Sequence, residues 1–92
     1  MIIMPELLLS PRDLHLAAEE FAKAHEEIQA ILERLAATVV SLEDKWSGTS
    51  QQMFYKYYTE WQEHIEGFNH LLDVVTKEMH AMADRFEHLD NE

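Results

Sequence analysis

One interruption in an otherwise continuous seven-residue periodicity restricts this chain to a helical hairpin. Leu14, Ala18, Phe21, His25, Ile28, Leu32, Leu35, Val39 and Leu42 follow alternate spacings of four and three. The pattern stops at Glu43-Asp44-Lys45-Trp46-Ser47-Gly48, midway along the 92 residues. It resumes with Phe54, Tyr58, Trp61, Ile65, Phe68, Leu72, Val75, Met79, Met82, Phe86 and Leu89. Apolar positions at this spacing fall on one side of a helix, and a strict seven-residue repeat bends paired helices into a left-handed supercoil. Two long helices joined by a short link must run antiparallel.

The boundaries have local causes. Ser10 suits an N-cap, Pro11 the first helical position, and Asp13 the positive end of the helix. Gly48 can adopt the left-handed backbone that ends a helix, and Thr49 with Gln52 forms the pattern of a capping box for the second helix. The expected organisation is one domain: an N-terminal arm 1–9, a helix 10–42, a turn 43–49, a helix 50–89 and a tail 90–92. Glu19 with Lys23, and Asp73 with Lys77, are favourable pairs one turn apart. Gly67 is the weak point of the second helix, costing about 1 kcal/mol relative to Ala.

The two seams bury each other and leave flanking apolar positions open. Ala17, Ala24, Ile31, Tyr57, Leu71 and Val74 form that strip, and His25 lies on the seam beside it. A strip of this kind predicts a second hairpin and hence a four-helix bundle, with these seven residues as the candidate dimer interface. The ordinary state of a core His is satisfaction by a neighbour; a buried neutral imidazole would also oppose association once protonated. In the aromatic group after the turn, Phe54, Tyr58 and Trp61 read as core, Tyr57 as a dimer residue and Tyr55 as an exposed contact.

Composition narrows the functions. The 18 acidic residues against 7 basic ones give a net charge of −11, a field that repels nucleic acid and anionic lipid. No cysteine is present, so disulfides and thiolate metal sites are excluded. The stretch MIIMPELLLS has no basic leader and is interrupted by Pro5 and Glu6, which predicts neither a cleaved signal peptide nor a membrane span. No phosphate loop or nucleophile elbow occurs, and a two-helix hairpin offers no deep cleft, so an enzyme is not expected. No cofactor or metal is expected either: His80, Asp84 and His88 lie at one-turn spacings but read as a hydrated helix face near the chain end.

Central Trp46-Ser47-Gly48, flanking heptads, acidity and the phrase KWSGTSQQMF together resemble the WXG family of small type VII secretion proteins, the ESAT-like and CFP-like proteins. The resemblance runs from Pro11 to Leu89. It implies a non-enzymatic secreted protein or export adaptor that works as a helical dimer, cytoplasmic before export and recognised by a membrane-bound FtsK/SpoIIIE-like ATPase. It also implies a secretion signal of the form Tyr-x-x-x-Asp/Glu near the end of the second helix. No Tyr lies there; the nearest equivalents are Phe86 with Asp90 and His80 with Asp84. The Phe-x-x-x-Asp form resembles that of small helical partners of LXG toxins, which makes a toxin-targeting chaperone the alternative. A generic coiled-coil interaction protein is the third reading. The partner is thus a second copy, a related WXG or LXG protein, and the secretion ATPase.

Overall fold

The protein is described by a computed structural model covering residues 9–90, with side chains through His88. Residues 1–8, 91 and 92 of the expected arm and tail lie outside the described residues. Two helices account for almost everything else: α1, Pro11–Leu42, and α2, Thr49–Asp90. At 1.5 Å per residue they are about 48 and 63 Å long. They pack side by side along a body of 69 × 21 × 16 Å. The all-α antiparallel hairpin expected from the periodicity is the fold observed.

The start of α1 follows from its sequence. The Ser10 hydroxyl accepts from the Asp13 amide at 3.1 Å, and the Asp13 carboxylate accepts from the Ser10 amide at 3.0 Å. This reciprocal pair with Pro11 behind it satisfies amides that a helix N-terminus otherwise leaves open. At the other end Glu43 remains right-handed and its amide donates to the Val40 carbonyl. Gly48 makes the turn, at φ +95°, where a side chain would be strained. The capping box expected from Thr49 and Gln52 does not form. Helix α2 already begins at Thr49, and the Gln52 amide donates to the Gly48 carbonyl at 3.2 Å. Lys77 reaches Asp73 at 3.0 Å, and this pair holds the Asp73 carboxyl below its ordinary range, chiefly by the hydrogen bond it receives. Glu19 and Lys23 do not pair.

The seam of α2 is not the one expected. Tyr58, Ile65, Leu72, Met79 and Phe86 do turn inward, but the alternate positions do not. Trp61 and Phe68 remain 38% and 51% exposed, and Val75 and Met82 are also exposed. The inner line instead uses Gln62, Asn69, Thr76 and Ala83, each one residue further on. In α1, Phe21 is likewise exposed while Leu14, Ala18, Leu32 and Val39 are buried. Ala18 and Ala83 are fully buried at the open end, where a larger side chain would overpack the seam. The rings that do turn inward, Tyr58 and Phe86, are only half-buried. No aromatic side chain belongs to the buried core of Leu14, Ala18, Leu32, Val39, Leu72 and Ala83.

Candidate functional site

Rotating the second seam by one residue makes the two sides of the hairpin unlike. On one side, Met53, Tyr57, Trp61, Phe68, Leu71, Val75 and Met82 recur at helical spacing and are exposed. Helix α1 contributes Phe21 and Ile31, both exposed, and half-buried Ala17, Ala24 and Leu35. The surface between the helices is apolar there. One open groove of about 390 Å³ is lined by Leu35, Val39, Leu42, Phe54, Tyr58 and Trp61. A smaller one is lined by Glu20, Phe21, Ala24 and Leu72.

Most of the expected interface residues therefore lie on this side, with Tyr57 60% and Leu71 57% exposed. Ile31 and Val74 are exposed too. The sequence reading underestimated the surface, since it assigned Phe21, Trp61, Phe68, Val75 and Met82 to the core. Hydrophobic spacing alone could not choose between positions 61 and 62, because both fit a heptad anchored at Tyr58 and Ile65.

His25 belongs elsewhere. Its Nδ1 donates to the Asn69 carbonyl at 3.0 Å, and the Asn69 amide group donates to Gln29 Oε1 at 3.3 Å. These residues line a polar groove with Glu33, Gln62, Glu66 and His70. The imidazole is thus satisfied by a neighbour within the same chain. Asn69 is only 4% exposed, and its side-chain oxygen has no partner.

At the bend, Trp46 is half-buried with its ring 5.0 Å from Phe54 and its Nε1 donating to Ser50 Oγ at 2.9 Å. Phe54 stacks in turn on Tyr58, and Tyr58 on Trp61, at centroid distances of 6.0 and 5.9 Å. The ladder continues the Trp-Ser-Gly turn into α2. Ser47 and Gly48 are exposed at the tip. Tyr55, expected as an exposed contact, is half-buried beside Phe54 at 5.6 Å.

At the open end the candidate tail residues have separate surroundings. His80 is half-buried and its ring lies 4.9 Å from that of His15 on α1. His15 Nε2 is 3.5 Å from Asp84 Oδ1 and 3.9 Å from Glu87 Oε1. Phe86 is half-buried, and the Asp90 side chain lies outside the described residues. Sequence reasoning did not find His15, because its neighbour His80 is 65 positions away and no local pattern links them.

Comparison with known proteins agrees with this architecture. A family described as WXG100, proteins of 100 residues with WXG, matches residues 7–91. An ESAT-6-like protein of Streptococcus agalactiae serotype V is 22% identical over 87 residues, covering 95% of this chain and 91% of that protein. The crystal structure of wild-type EsxB, a secreted protein of Bacillus anthracis strain Sterne, superposes with a TM-score of 0.83 at 26% identity. It covers 94% of this chain and 92% of EsxB. EsxA of Geobacillus thermodenitrificans gives 0.80 at 25% identity over 90% and 91%. Members of this family are small secreted helical proteins of type VII systems and are not known as enzymes. Among the described residues no helix is long and apolar enough to cross a membrane. With its central Trp46-Ser47-Gly48 turn, its two-helix fold and a family match over nearly its whole length, the chain belongs to the WXG100 family.

Proposed function

We propose that this protein is a type VII secretion substrate or export adaptor that works as a folded four-helix dimer. The observation that carries the reading is the exposed apolar side of Tyr57, Trp61, Phe68, Leu71 and Val75. In a four-helix bundle the central axis lies to one side of each hairpin. The largest apolar side chains of each hairpin then point at that axis rather than at their own partner helix. Their removal from water contributes roughly 25 cal/mol per Å², and a two-helix unit with so small a core needs that contribution. WXG100 proteins commonly form dimers with each other, which supports the same arrangement.

The export signal in this reading is the C-terminal part of α2, with Phe86 and Asp90 contacting an FtsK/SpoIIIE-like ATPase. His80 with Asp84 is the weaker candidate, because both face His15 of α1. Trp46, Ser47 and Gly48 form the bend at the far end of the same molecule, available to the secretion machinery as a second contact.

Sedimentation of the purified chain, together with its recovery from culture medium with and without the secretion ATPase, tests the proposal. A homodimer found outside the cell only when the ATPase is present is the expected result. Equal release from both strains refutes export by this route. A monomer that dimerises only with a larger LXG-type protein replaces the adaptor reading with that of a targeting chaperone.

A further inference from the structure

The open end of the hairpin brings ligand atoms from both helices together, and we propose that it is a divalent transition-metal site, with Zn²⁺ as the fitting ion. The ligands are His15 Nε2, Asp84 and Glu87, and His80 is the residue that orients His15. The proposal does not depend on export, since it concerns only the folded chain.

Three observations support it. First, His15 Nε2, one Asp84 oxygen and one Glu87 oxygen all lie within 4.8 Å of one another. Secondly, the separations from His15 Nε2, 3.5 and 3.9 Å, are long for hydrogen bonds. Two bonds of about 2.1 Å at a tetrahedral angle hold their ligand atoms about 3.4 Å apart. The His15–Asp84 separation is close to that of ligands sharing an ion, and rotation of the exposed Glu87 side chain would bring the wider third ligand in.

Thirdly, His15 Nδ1 and His80 Nδ1 are 2.6 Å apart, within hydrogen-bond reach, with the donor set by the tautomers. With the proton on His15 Nδ1, that nitrogen donates to His80 and the Nε2 lone pair points at the two carboxylates. A ligating histidine is ordinarily held this way by an acceptor behind it. An imidazole with two carboxylates suits Zn²⁺ and related ions, and water completes the coordination. The charge of −11 further favours a cation. The bound ion would tie the first turns of α1 to the last turns of α2, opposite the bend. The one-turn spacing on α2 is visible in the sequence, but the imidazole from α1 that makes it a chelate is not.

The test uses the full chain freed of metal with a chelator. Zn²⁺ is titrated calorimetrically, and the imidazole nitrogens are followed by long-range ¹H–¹⁵N NMR. One saturable ion per chain is expected, with the His15 Nε2 resonance moving and the melting temperature rising. His15→Gln and Asp84→Asn should abolish the saturable event. His80→Gln should weaken it about ten- to a hundredfold, and His70→Gln, in the polar groove, should leave it unchanged. Should circular dichroism show His15→Gln unfolded, the exposed Glu87→Gln provides the same reading. The site is overturned by the absence of saturable binding, or by binding that His15→Gln and Asp84→Asn leave intact.

Discussion

One side of this hairpin is lined by Trp61, Phe68, Leu71 and Val75, and the other by His25, Gln29, Gln62, Glu66 and Asn69. Both sides belong to the same two helices and flank the same narrow core. They differ in how their exposed atoms are satisfied. The polar side makes hydrogen bonds within the chain, His25 donating to the Asn69 carbonyl and the Asn69 amide group to Gln29, with only the Asn69 side-chain oxygen left over. The apolar side has no such means, and only another nonpolar surface can cover it. The lesson is that a heptad seam in a half-bundle need not point at the neighbouring helix of its own chain. In the proposed four-helix dimer its exposed positions point at the axis of the assembly, while Leu14, Leu32, Val39 and Leu72 with two alanines hold the hairpin together.

The most severe way to break this contrast is a charge on the apolar side. Phe68→Asp should weaken self-association at least about a hundredfold, because an unpaired carboxylate in an interface costs roughly 3–5 kcal/mol. Sedimentation velocity over a concentration series checks this; an unchanged dimer would place the interface elsewhere. The close contact between the helices is next. Ala83 is fully buried, so Ala83→Leu should overpack it and cost about 1–3 kcal/mol in chemical denaturation.

A third change sharpens the comparison through its sign. Asn69 is buried with an unpartnered oxygen, while the contact from His25 goes to its backbone. Asn69→Leu should therefore be neutral or stabilising by up to about 1 kcal/mol, despite removing a polar contact between the helices. A clear loss of stability would mean that the polar line matters for more than register. The smallest effect belongs to the surface. Asp73→Asn removes the ion pair with Lys77 and should lower the melting temperature only slightly at neutral pH. Because folding lowers the Asp73 pKa, this contribution is complete above the unfolded value and disappears as acid protonates the folded carboxylate. The variant and the wild type should therefore converge in acid.

Much of the molecule is legible without coordinates because its determinants are local. Ser10, Pro11 and Asp13 begin α1 by bonding to their own backbone, and Gly48 turns the chain because it lacks a side chain. The four-three repeat then dictates two helices, and the short link dictates their direction. The bend and the general position of the apolar strip follow from the same information.

What only packing decided is which of two adjacent positions faces inward. Trp61 and Gln62 satisfy the same repeat, and hydrophobicity favours Trp61. In the folded hairpin Gln62 is half-buried, while Trp61 remains 38% exposed beside Leu35, Val39 and Tyr58. The meeting of His15 with His80, Asp84 and Glu87 is tertiary as well. Residues at opposite ends of the chain become neighbours only after the hairpin closes, and no spacing in the sequence records a distance across two helices.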